Sequence, residues 1–224
     1  MNSITNQNFI LFEDAEILIV NKPAGLPVLP DGWDKDAPFL VRSLEELSGK
    51  LWVVHRLDKI TSGVIVFARS AEAHRTLSMQ FEAHKAKKIY HAIVEGSPAW
   101  EKHIARHLLR VDVGHKHRTL VDNSKGKPSE TFFRVLERYK SFSLIEAIPA
   151  TGRTHQVRAH ASAIGFPLLG DTLYGAKDTT LINRPALHAY SLSFKHPTTL
   201  EQVTFTAPTP EDFQTALEKL RHLE

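Results

Sequence analysis

The chain has 224 residues, 42% hydrophobic and 24% charged, with 28 Lys and Arg against 25 Asp and Glu for a formal net charge of +3. This suits a soluble globular protein, and the mildly basic balance permits a polyanionic partner without requiring one. Cysteine is absent, which excludes disulfides, thiol catalysis and Cys-ligated metal sites and fits a reducing cytoplasm. No apolar stretch approaches the ~20 residues of a membrane span, and "MNSITNQNFILFEDAE" lacks the basic and apolar regions of a signal peptide.

Residues 15–23, "AEILIVNKP", read as a strand stopped by Pro23. "AGLPVLPDGWDKDAP" reads as a long loop, in which Trp33 has no evident role. Residues 39–48 suit a short helix with Gly49 past its end. "LWVVH" and "GVIVFAR" read as two buried strands flanking "HRLDKITSGV". Ser70 suits the N-cap of a helix over 71–85, with Ala73, Leu77 and Phe81 on one stripe. "KIYHAIVEG" is a strand, and "ETFFRVLERY" and "FSLIEAIPA" pair antiparallel across a turn at Lys140 and Ser141. "TGRTHQVRAHASAIGF" switches to helical spacing, with Val157, Ala161 and Ile164 on one face and Gly165 as the stop. "ALHAYSLSF" and "EQVTFTAP" are further strands, and residues 210–223 form a terminal amphipathic helix. Strands outnumber helices and short turns join them. The expectation is one α+β domain over 1–224, a mostly antiparallel or mixed sheet with flanking helices. The chain has neither βαβ alternation nor a Gly-rich phosphate loop, which argues against a doubly wound fold.

Four segments could carry chemistry. Asp58 sits between two apolar runs and before Thr61, Ser62 and Gly63. Read locally it is a turn residue, a salt-bridge partner or a catalyst, and local sequence favours the turn. "TGRTHQVRAH" crowds Arg153, His155, Gln156, Arg158 and His160 into a helix start beside apolar residues. A cation there calls for a carboxylate, and Asp58 is the natural candidate. Tyr90 lies in a strand and reads equally as core or as site. "PLLGDTLYGA" reads as an ordinary structured loop holding Asp171 and Tyr174.

Residues 101–127 hold seven Lys and Arg against three Asp and Glu, a basic hairpin or loop able to meet phosphates through Lys102, Arg106, Lys116 and Arg118. His103 and His107 have the spacing of zinc ligands on a helix, but a Glu after the first His and a third ligand are both missing, so no metal is expected.

Together and in order, "NKPAGLPV", "HRLDKITSGVIV", "KIYHAIVEG", "TGRTHQVRAHASAIGFPLLGDTLYG" and "LHAYSLSFKHP" closely resemble the RluA family of RNA pseudouridine synthases. The resemblance implies the pseudouridine synthase catalytic fold and isomerisation of uridines in ribosomal or transfer RNA, in the cytoplasm, without cofactor or metal. It also implies roles. Asp58 is the catalytic aspartate, Arg158 pairs with it, and Tyr90 lies near the base. Arg56 takes the space left when the uridine is flipped out of its helix. His55 and Thr61 brace that loop, and Arg153 and His155 join the RNA-facing set. Many members carry an S4 RNA-binding module, for which this sequence leaves no room ahead of its first strand, so a stem-loop target is expected; the sequence carries no signal of oligomeric state, and a monomer is the default expectation. The competing expectation is a non-catalytic RNA-binding or chaperone protein on the same fold.

Overall fold

Ile17, Leu18, Ile19 and Val20 are all fully buried, and they form a strand flanked on both sides in the computed structural model, which describes residues 9–30 and 37–222. In chain order the elements are β1 (Ile10–Glu13), β2 (Ile17–Lys22), α1 (Leu40–Ser48), β3 (Trp52–Val53), β4 (Ser62–Ala68), α2 (Ala71–Glu82), β5 (Lys87–Glu95) and β6 (Lys102–Val113). They continue with β7 (Arg118–Val121), β8 (Lys127–Arg138), β9 (Phe142–Pro149), α3 (Gln156–Ala163), β10 (Leu187–Lys195), β11 (Gln202–Thr206) and α4 (Glu211–Arg221). The chain divides into two compact units. One holds the residues up to Lys88 with Ala189–Pro208, and the other holds Ile89–His188 with the chain from Thr209.

In the first unit β2 pairs antiparallel with β1 and with β4, where Ile17 faces Ala68 and Lys22 faces Gly63. β10 pairs antiparallel with β11. Ile17, Ile19, Val64, Val66 and Phe194 build the core, and Ala73, Leu77 and Phe81 of α2 press onto it. The Ser70 hydroxyl caps α2 by accepting the Ala73 N–H at 3.1 Å. Gly63 has φ +119°, and a Cβ there would stand 2.2 Å from the Ala189 carbonyl oxygen. Only glycine allows β4 to begin so close to the β10 main chain.

The second unit is the antiparallel succession β5, β9, β8, β6, β7. Val157, Ala161 and Ile164 of the α3 segment cover Phe133, Ile145 and Ala147. On a second core, α4 brings Phe213, Ala216 and Leu220 against Ile93, Tyr139 and Leu169. Arg184 ties down the first turn of α4 with two bonds to Asp212, at 2.6 and 2.9 Å.

The α+β class and the helices stand where the sequence places them, with α2 ending at Glu82 rather than near Lys85. Two local readings change, at β3 and β1, and of the hairpin and loop alternatives for residues 101–127 the hairpin is found. β3 has only two residues, both half-buried, because the chain leaves β4 at once to form the "HRLD" loop. β1 is an additional strand with two exposed residues, so it carries little hydrophobic signal. Residues 102–121 are the hairpin β6–β7, and β6 pairs along its length with β8. Strand geometry puts His103 and His107 about 13 Å apart, so the helical zinc spacing does not exist. Trp33 lies outside the described residues, and no described helix is long and apolar enough to cross a membrane.

Candidate functional site

The first unit presents His55, Arg56, Asp58 and Thr61 on one loop between β3 and β4. Arg56 is exposed, Asp58 half-buried, and Leu57 buried between them. Alternation explains this, since Leu57 turns inward as a plug and its two neighbours turn outward. The loop closes when the Thr61 N–H donates to the Asp58 carbonyl at 3.0 Å. The His55 ring stacks on Phe81 with centroids 4.5 Å apart, and its Nε2 accepts the Val66 N–H at 3.3 Å. An accepting Nε2 requires the neutral ring with its proton on Nδ1. Burial and the nearby Lys88 ammonium push the His55 pKa down to about 3, which keeps the ring neutral. Burial likewise lowers the pKa of Lys88.

Sequence reading missed Lys22, which is 0% exposed. Its ammonium donates to the carbonyls of Pro23, Leu26 and Lys59 at 2.8, 2.8 and 3.0 Å. The Gly25 N–H also reaches Lys59 O, at 2.8 Å. Three carbonyl dipoles satisfy the buried cation, and together they fasten the "NKPAGL" segment to the residue after Asp58. A lysine two positions after a run of four apolar residues, and directly before Pro23, is the signal that could have revealed it.

The second unit holds Tyr90, Arg153, His155 and Arg158. Tyr90 lies opposite Ala147 across the β5–β9 pair and packs at the edge of the core under α3. Arg158 is buried at 3% exposure, on the first turns of α3. Its Nε and Nη2 donate to Asp171 at 2.7 and 2.8 Å, a bidentate pair whose carboxylate is 1% exposed. On its own unit, therefore, the buried guanidinium meets Asp171, a partner not foreseen. The Tyr174 ring lies 4.9 Å from the Arg158 Cζ, a cation–π contact. Its hydroxyl accepts the Thr119 N–H at 2.8 Å and lies 3.1 Å from His155 Nδ1. Burial raises the Tyr174 pKa although Thr119 and Arg158 act against it, so the hydroxyl keeps its proton. "LLGDTLYG" thus supplies the buttress of Arg158. Its apolar run ending in a glycine-bracketed acid was the available signal.

His155 caps α3 in the left-handed region, φ +53°. The turn before it is clamped by buried Gln156. The Gln156 Oε1 accepts Thr151 Oγ1 and the Arg153 N–H, while its Nε2 donates to Glu130 O and Thr131 Oγ1. All four hydrogen-bonding positions of the carboxamide are used, which fixes the entry to α3.

The basic candidates lie on the hairpin. Lys102, Arg106 and Lys116 are exposed and Arg118 is half-buried. Arg106 is spent in part on Glu130 at 2.6 Å.

A family model described as RNA pseudouridylate synthase matches residues 16–163, from the start of β2 to the end of α3 and so across both units. The chain belongs to the RNA pseudouridylate synthase family. The synthase is 40% identical over 222 residues to a Zymomonas mobilis protein named ribosomal large subunit pseudouridine synthase D, covering 92% of this chain and 70% of that one. It is 39% identical to ribosomal large subunit pseudouridine synthase C of Haemophilus ducreyi, covering 96% and 70%. Among solved structures, human RNA pseudouridylate synthase domain containing 4 aligns with a TM-score of 0.79 at 25% identity, over 96% of this chain and 93% of that one. Human RNA pseudouridylate synthase domain containing 1 gives 0.75 at 29%, over 90% and 83%. The synthase is thus an isomerase acting on RNA, with the pseudouridine synthase fold.

Proposed function

We propose that this pseudouridine synthase modifies uridines of large-subunit ribosomal RNA, using Asp58, Tyr90 and Arg158 as its catalytic residues. The names of its relatives support the substrate class, and the wide span of the matches supports one catalytic domain made of both units. The observation that carries the chemistry is the "HRLD" loop. It is fastened from behind by His55 and Lys22 while Asp58 and Arg56 turn toward solvent.

The isomerisation breaks the N1–C1′ bond, turns the base and forms a C5–C1′ bond. The C5 proton leaves to solvent and N1 regains a proton. A carboxylate serves this by attacking sugar or base, or by removing a sugar proton, and each route needs Asp58 ionised. The uridine leaves its stack at a cost of a few kcal/mol, and the exposed Arg56 fills the space, its planar guanidinium stacking and hydrogen-bonding at once. Lys116 and Arg118 of the hairpin meet phosphates of a stem-loop. An RNA substrate of this class is met in the cytoplasm.

The test is Asp58→Asn. Release of tritium from RNA labelled at uridine C5 should stop, while RNA affinity stays within about threefold. Full release by the variant sinks the assignment. Deleting the gene and mapping carbodiimide-dependent reverse-transcription stops should then show a large-subunit site that disappears and is restored only by the wild-type protein. A loss confined to transfer RNA would refute the substrate class.

A further inference from the structure

The hairpin and α3 are joined at one point. β7 does not pair regularly with β6. Val113 faces Arg118 and Arg110 faces Leu120, so Val111 and Asp112 of β6 stand against the single Thr119 of β7. Within the bulge, Asp112 adopts φ +59°. A bulge of this kind turns a main-chain group away from the ladder. The Thr119 N–H, on the strand that faces this bulge, donates to the Tyr174 hydroxyl at 2.8 Å. The Thr119 side chain, 1% exposed, adds a second anchor by donating from Oγ1 to Thr154 O at 2.7 Å. Tyr174 in turn lies against Arg158, and its N–H bonds the carbonyl of Asp171, whose carboxylate grips the guanidinium. Two contacts therefore separate the basic strand from the buried arginine.

We infer that Thr119 and Tyr174 are positioning residues that pass RNA engagement of the β6–β7 hairpin to Arg158, so that the synthase turns over fastest on RNA the hairpin holds. The inference rests on the proposed roles of the hairpin and of Arg158. Arg118, next to Thr119, is the cation through which phosphate contact would move the anchor. The Tyr174 hydroxyl also reaches His155, so the N-terminus of α3 is set by the same group.

Tyr174→Phe keeps the ring over Arg158 and removes the hydroxyl. On large-subunit ribosomal RNA from a strain lacking the enzyme, its single-turnover rate should fall roughly fivefold, the worth of one hydrogen bond, with affinity within twofold. Thr119→Val should act similarly, and Thr119→Ser, which keeps both bonds, should restore the rate. Lys116→Ala/Arg118→Ala should weaken affinity and slow turnover, and Tyr174→Phe should slow that background no further. Losses that multiply independently, or a loss in affinity alone, overturn the coupling. A silent Tyr174→Phe beside an impaired hairpin variant overturns the coupling and leaves the hairpin reading intact. A hairpin variant with wild-type affinity and rate overturns the RNA-hairpin reading itself, and the coupling falls with it.

Discussion

Arg158 donates two charge-assisted hydrogen bonds to Asp171 in nearly complete isolation from solvent. Removing one member of such a pair leaves the other charge buried and uncompensated, which destabilises by about 3–5 kcal/mol. Arg158→Met is expected to lose that much in urea unfolding and to lose turnover. Arg158→Met/Asp171→Leu is expected to recover most of the stability and none of the turnover, which separates packing from chemistry. The buried histidines set a pH dependence. Burial and the neighbouring His107 lower the His160 pKa to about 4, and Thr131 Oγ1 holds its Nδ1 at 2.8 Å. Above pH 6.5 neither folded nor unfolded His160 is charged. As pH falls from 6.5 to about 4 the unfolded chain takes up a proton that the folded chain refuses, so stability drops. His160→Gln is expected to reduce the stability difference between pH 7 and pH 5 in denaturant titrations. An unchanged difference would remove His160 from this account. Arg158 could be read as buried from its apolar flanks, but Asp171 could not be named its partner. Nothing local ties a helix residue to an acid in a later loop.

Elements were legible where local chemistry is strong. Ser70 marked the start of α2, and its hydroxyl caps the helix as expected; Ser70→Ala should cost about 1 kcal/mol, seen as a lower midpoint in thermal unfolding. β6 was legible only as part of a hairpin or a loop, without strand bounds. Its inward positions run His103, Ala105, His107, Leu109. With histidine at every second one, the alternation that marks a half-buried strand is hidden. The aromatic and cross-strand surroundings make those histidines acceptable, as in the stacking of His103 on Trp100 at 5.4 Å. Gly63 carries the strictest demand on an element. Gly63→Ala sets a methyl group against the Ala189 carbonyl in a backbone region that alanine avoids. Loss of cooperative folding or a fall of several kcal/mol in stability is expected, measurable by circular dichroism. A stable, active Gly63→Ala protein would show that β4 can shift away from β10.

For the whole molecule, the surplus of four positive charges on residues 101–127 exceeds the net charge of +3, so the rest of the chain is close to neutral and RNA affinity should depend on a few local cations. Each cation withdrawn from a phosphate lowers the slope of log affinity against log salt by about 0.7–0.9. Lys116→Ala/Arg118→Ala should therefore flatten that slope by up to about 1.8, whereas Arg106→Ala should change it less because Arg106 is already paired with Glu130. Equal effects would mean that the ion pair opens on binding. The sequence by itself determined the family, the α+β class, the helices and the segments that carry Asp58, Tyr90 and Arg158. These are written in ordered motifs and in periodicities of two and 3.6, which act over a few residues. Only the tertiary structure decided what holds those segments. Lys22 reaches the loop after Asp58 across 37 residues, and Tyr174 reaches Thr119 across 55. A buried polar group takes whichever partner the packed chain brings within 3 Å, and that distance does not exist until the strands have paired.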